Sequence, residues 1–130
     1  MICGIGVDTI DIQRFALWHT YLSKKLLRIF SQEEIDYCLE NKLKSAERFA
    51  ARFAAREALY KALSYAYPDQ KIPFLTLCAQ TIIAKIDTRP YIIINDGIKI
   101  DLTSVAIHLS LSHSRTTATA FVVIEKRYFY

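Results

Sequence analysis

At 130 residues the chain has the size of one domain, since single cores of roughly 100–150 residues bury enough surface to fold unaided. Its 52% hydrophobic and 23% charged residues exclude a disordered chain, and no apolar run approaches the ~18–20 residues of a membrane span. Seventeen Lys and Arg against thirteen Asp and Glu leave a charge of +4, which suits an anionic partner without choosing among nucleic acid, an acidic protein and a phosphorylated cofactor.

The start MICGIGVDTIDIQRF lacks the charged opening and long apolar stretch of a signal peptide, so a cytosolic location is expected. Cys3, Cys38 and Cys78 are widely separated and show no zinc or disulfide spacing, so all three read as reduced and mostly buried.

Ile2–Val7 is apolar and β-branched apart from two glycines, and reads as a short buried strand ending at Asp8. From Asp11 the spacing of Ile12, Phe15, Ala16, Trp18 and Leu22 suggests an amphipathic helix, with Arg14, His19, Lys24 and Lys25 on or beside its polar side. Ser31-Gln32-Glu33-Glu34 has the capping-box pattern of a hydroxyl followed three residues later by a carboxylate, and opens a helix to about Leu39. Ser45 to Tyr67 is rich in Ala, Arg, Glu and Lys, free of Gly and Pro, and stops before Pro68, which predicts one long helix. On it Phe49, Phe53, Tyr60 and Leu63 line a stripe, with Glu57 and Lys61 one turn apart beside it. Arg48, Arg52 and Arg56 form a basic ridge.

Beyond Pro73 the segments Thr76–Ile86, Tyr91–Asn95 and Ile98–Leu102 are β-rich, with hairpin residues at Asn95-Asp96-Gly97. Ile107–Leu111 and Thr119–Ile124 read as two further strands around a polar turn at Ser112–Thr116. The order predicts an α+β fold over residues 1–130: an N-terminal strand, a long central helix and a C-terminal antiparallel sheet.

Asp8 and Glu57 are carboxylates from distant segments that can converge on a cation preferring oxygen ligands. Magnesium suits them, because waters and substrate phosphates usually complete its shell. Spacing leaves a plainer arrangement open, in which Asp8 caps the next segment and Glu57 pairs with Lys61 on the surface. Lys61 can instead reach a bridging phosphate. His113, between Ser112 and Ser114, can orient a nucleophile, relay a proton or donate to phosphate; His108, among apolar neighbours, reads as the structural histidine. A serine hydrolase is disfavoured by the absence of a GxSxG elbow. Gly4-Ile5-Gly6 lacks the third glycine and immediate helix of a dinucleotide fingerprint.

Four segments, GIGVDTIDIQRF, FSQEEIDYC, AERFAARFAAREALYKAL and HLSLSHSRTTATAFVVIE, resemble in content, order and spacing the holo-acyl-carrier-protein synthases, short trimeric members of the 4′-phosphopantetheinyl transferase family. The resemblance implies transfer of the 4′-phosphopantetheine arm of coenzyme A to a serine of acyl carrier protein, with release of adenosine 3′,5′-bisphosphate. It implies Asp8 and Glu57 as Mg2+ ligands and Lys61 as a neutraliser of pyrophosphate. Either a metal-bound water or a nearby carboxylate would deprotonate the serine. His113 becomes a phosphate contact or relay, and Arg52, Ser112, His113 and Lys61 become coenzyme A contacts. Arg14, Lys24, Lys25 and Arg28 would face the acidic carrier, although a solvated helix face remains the plain reading for at least two of them. A homotrimer with sites at subunit interfaces is implied, with no nucleic-acid or membrane partner.

The sequence departs from the family pattern in three places. Arg56 stands where Lys is usual, SYAYPDQKIPF lacks the glycine-rich turn that usually follows the helix, and Thr88-Arg89-Pro90 replaces Gly-Lys-Pro. The altered exit is the argument for a rival reading, a non-catalytic module that binds carrier protein or nucleic acid through its basic helix face.

Overall fold

In the computed structural model, which describes residues 1–128, the N-terminal strand β1 (Ile2–Asp11) pairs antiparallel with the last strand, β5 (Thr117–Lys126), and β5 with β4 (Val105–His113). The sheet order is β1-β5-β4, and a separate hairpin joins β2 (Thr81–Ile86) to β3 (Arg89–Ile94). The helices are α1 (Ser23–Leu26), α2 (Gln32–Glu40), α3 (Ser45–Ala66) and α4 (Phe74–Ala79).

The core lies between α3 and one face of the sheet. Alternation along β5 turns Ala118, Ala120, Val122 and Ile124 inward, all fully buried. They meet a helix face that is largely alanine: Ala50, Ala54, Ala55, Ala58 and Ala62. Small side chains on both layers let the backbones approach closely, and β1 goes furthest. A Cβ on Gly6 would overlap the carbonyl of Ala58, and one on Gly4 the carbonyl of Ala62. Those glycines, short of a dinucleotide fingerprint, serve helix-on-strand packing. On the other flank of α3, Phe15, Trp18, Phe30, Phe49 and Phe53 form a continuous aromatic cluster that anchors residues 12–30.

A second tie is ionic. The capping box of α2 is present, Ser31 Oγ accepting from the Glu34 amide while the Glu34 carboxylate accepts from the Ser31 amide at 2.9 Å. The same carboxylate receives the Arg56 guanidinium as a fork, at 2.8 and 2.6 Å, and the Ile83 amide at 3.3 Å. Arg56 also donates to the Thr81 carbonyl at 2.7 Å. One buried pair thus joins α2, α3 and β2, and a lysine at 56 could not supply the fork.

The structure corrects several expectations. Asp8 lies inside β1, which continues to Asp11. Residues 12–20 form two 3-10 turns in place of a helix, because Phe15 and Trp18 are pulled onto α3. Thr76–Ala79 belongs to α4, and Ile98–Leu102 forms no strand, so Asn95–Gly97 is a turn without a hairpin. The basic ridge is not a surface feature: Arg52 and Arg56 are buried while Arg48 is partly covered. His108 is exposed, 3.5 Å from Glu125 across β4 and β5, and holds no core. Cys38 and Cys78 are buried and Cys3 half-buried, all unpaired; burial pushes the Cys38 thiol up to about 12 and the Cys78 thiol to about 11, which leaves both inert.

Candidate active site

Asp8 faces α3 on the same side of β1 as the two glycines, so the close approach of strand and helix delivers its carboxylate to the helix. Lys61 Nζ donates to the Val7 carbonyl at 2.9 Å and to Asp8 Oδ1 at 3.2 Å. Both halves of the plainer arrangement therefore fail, since Asp8 caps no helix and the ion pair of Lys61 is with Asp8 rather than Glu57.

Glu57 lies one turn before Lys61. Burial pushes its carboxyl above the ordinary glutamate range, and the negative charge of Asp8 adds to this, while Lys61 and Arg14 act in the opposite sense. Asp8 and Glu57 together present an oxygen-rich site that suits a hard cation. Among the described residues, no group of three or more His, Cys, Asp and Glu converges. The donor set fits magnesium, which needs one or two carboxylates, and not a zinc shell of three or four protein ligands.

Toward the N-terminal end of α3, Arg52 stands five residues before Glu57, about 7.5 Å along the axis. There a cavity of about 330 Å³ is lined by Lys44, Arg48, Arg52, Lys85, Ser112 and His113, among others. Arg52 is 4% exposed, and its Nε has no partner. The Tyr37 ring carries this group, with the Arg48 and Arg52 guanidinium carbons 3.9 and 4.4 Å from its centroid. Lys85 Nζ donates to the Tyr37 hydroxyl at 3.0 Å, and that bond lowers the phenol below its usual range. His113 Nε2 lies 3.1 Å from Glu47 Oε1.

The sequence-predicted residues thus fall into two adjoining groups, Asp8 with Glu57 and Lys61, and Arg52 with Ser112 and His113. Arg14 is near enough to act on Glu57. Lys24, Lys25 and Arg28 are exposed on the segment beyond, with Leu17, Leu22 and Leu27 exposed among them. Leu22, whose spacing fits the expected amphipathic helix, is exposed because residues 12–20 form 3-10 turns instead. Tyr37 and Lys85 escaped the sequence reading, because they belong to different elements and no spacing links them.

The sequence profile of the 4′-phosphopantetheinyl transferase superfamily matches residues 4–122. The chain therefore belongs to that superfamily. It is 35% identical to a holo-[acyl-carrier-protein] synthase of Treponema denticola over 96% of this chain and 99% of the relative. Against the synthase of Clostridium tetani it is 36% identical over 96% and 97%. A solved holo-(acyl-carrier-protein) synthase of Bacillus anthracis, in complex with CoA (3′,5′-ADP), superposes with a TM-score of 0.75 at 31% identity, covering 97% of this chain and 98% of that one. Within the superfamily these similarities place the chain with the holo-acyl-carrier-protein synthases.

Proposed function

We propose that the cluster of Asp8, Glu57 and Lys61 is where the chain transfers the 4′-phosphopantetheine arm of coenzyme A to a serine of acyl carrier protein. The observation that carries this reading is the convergence of the β1 carboxylate and the α3 carboxylate beside one lysine. The serine hydroxyl gives its proton to a nearby carboxylate or water as its oxygen bonds the phosphorus bearing pantetheine, the pyrophosphate bridge to that phosphorus breaks, and adenosine 3′,5′-bisphosphate leaves.

Asp8 and Glu57 would hold Mg2+. When bound, the ion supplies Lewis-acid stabilisation of charge on the pyrophosphate. Lys61, already donating to the Val7 carbonyl and to Asp8, has one further N–H donor to turn toward the leaving phosphate. Arg52, His113 and Ser112 would receive the nucleotide phosphates in the adjoining cavity, where an unpartnered buried Arg52 Nε is a ready donor. Arg14, Lys24, Lys25 and Arg28, interleaved with exposed leucines, suit the acidic surface of a carrier protein. The influence of Arg14 on Glu57 supports a docking surface continuous with the reaction centre.

We also propose a homotrimer, acting in the cytosol. Among the described residues no helix is long and apolar enough to cross a membrane. The rival binding module loses the surface it needs, because Arg52 and Arg56 of the basic ridge are buried.

The test is incubation of the purified chain with Mg2+, coenzyme A and apo-carrier protein, read by intact mass. The carrier is expected to gain one phosphopantetheine, and Asp8→Ala, Glu57→Ala and Lys61→Ala to lose about a hundredfold or more in rate. Full activity in the Glu57 variant or after chelation overturns the site. Carrier binding without mass gain overturns the function in favour of the module.

A further inference from the structure

The cavity beside the N-terminal half of α3 is cationic with one exception. Lys44, Arg48, Arg52 and Lys85 line it, and Glu47 is the acid among its lining residues. An unengaged carboxylate there would repel the phosphates that the other residues attract.

Its place in the helix explains how it is engaged. Glu47 is the third residue of α3, the position from which a glutamate normally folds back onto the amide of the N-cap residue, as Glu34 does in α2. In α3 that residue is Lys44, whose amide is already satisfied by the Asn41 carbonyl at 3.1 Å and the Asn41 side-chain oxygen at 3.3 Å. Glu47 is released from capping and crosses to the end of β4, where it meets His113 Nε2 at 3.1 Å. The other ring nitrogen, Nδ1, has only a long 3.4 Å contact with the Ser114 carbonyl.

We infer that Glu47 is a positioning residue: with His113 as the imidazolium, it accepts from Nε2, fixes the ring plane, and leaves the Nδ1 N–H to donate to a phosphate oxygen of coenzyme A. A carboxylate that holds one imidazole nitrogen sets which nitrogen faces the ligand and how the ring lies. The role rests on the reading that His113 meets coenzyme A in this cavity.

Glu47→Gln, His113→Ala and the double variant are compared for KM and kcat with coenzyme A, and the His113 ring nitrogens are followed by 15N NMR in wild type and Glu47→Gln. Glu47→Gln is expected to raise KM for coenzyme A about three- to tenfold, the size of one partly exposed charge-assisted hydrogen bond, with kcat little changed. That effect is expected to vanish in the His113→Ala background, and the ring signals to shift. Additive losses in the double variant, as for a carboxylate that contacts the nucleotide directly, overturn the inference. So do unchanged ring signals in folded Glu47→Gln. A His113→Ala chain with wild-type KM overturns instead the placement of His113 against coenzyme A, and the ring signal then decides alone whether Glu47 holds the imidazole.

Discussion

One added methyl group would pull the two carboxylates of the site apart. At Gly6 it has no space, since the Ala58 carbonyl occupies the position of a Cβ. Gly6→Ala is expected to cost about 3 kcal/mol in urea unfolding, the upper range of overpacking, and to lower transfer activity by withdrawing Asp8 from Lys61. Glu57 makes a different prediction. Its carboxyl is raised chiefly by burial and then by Asp8, so the folded state holds the Glu57 proton more tightly than the unfolded chain does. Above the raised value Glu57 is ionised in both states and its burial costs stability; the cost fades as pH falls through that value and is gone below the ordinary glutamate range. Glu57→Gln, measured without metal, is expected to raise the melting temperature slightly at neutral pH while abolishing transfer. A lower melting temperature in this variant at pH 7 would contradict the sign. The three residues of the candidate site stand out in the sequence because Asp8, Glu57 and Lys61 lie in segments with a family likeness. That Lys61 would pair with Asp8 was not, because the contact depends on two glycines letting one backbone rest on another.

The elements most legible in sequence were those with local signals. The capping box of α2 and the Gly- and Pro-free run of α3 carry their boundaries in adjacent residues, and both formed within a residue or so of expectation. Where tertiary contacts decide, the reading failed: Phe74–Ala79 is apolar enough for strand or helix, and residues 12–20 follow the aromatic cluster rather than a helical period. Arg56 is the clearest case. Its spacing reads only as part of a basic ridge with Arg48 and Arg52, whereas the fork to Glu34 needs β2 as a third party. Arg56→Met would strand a buried carboxylate and is expected to cost about 3–5 kcal/mol, with part recovered when Glu34→Gln is added. Equal stability of Arg56→Met and wild type by denaturant titration would show the pair to be idle. At the β2–β3 turn, Asp87 takes a left-handed φ of 55°. Asp87→Gly should remove the Cβ penalty there and stabilise by about 0.5–1 kcal/mol, visible as a higher denaturation midpoint at unchanged slope.

At the scale of the whole molecule, β1 and β5 carry apolar side chains on both faces of the sheet, whereas strands of an antiparallel sheet with a wet side normally alternate polar and apolar. The inner face is filled by α3. On the outer face Ile5, Val7 and Phe121 are 49%, 52% and 44% exposed, side by side across β1 and β5. A patch of large apolar side chains spanning the edge strand β1 and the central strand β5 marks a surface for a partner. Register strengthens the case that the partner is another copy. Ser112 pairs with Thr119 on the outer face while His113 pairs with Ala118 on the inner one, so a ligand touching both lies at the rim of the sheet, where a neighbour seated on the outer face would complete the site. Phe121→Arg places a charge on that face without entering the core. The wild type is expected to run as a trimer in light scattering and the variant as a monomer that keeps its far-ultraviolet circular dichroism and loses most transfer activity together with its association. A trimeric Phe121→Arg would move the interface elsewhere, and a monomer with full activity would separate catalysis from assembly.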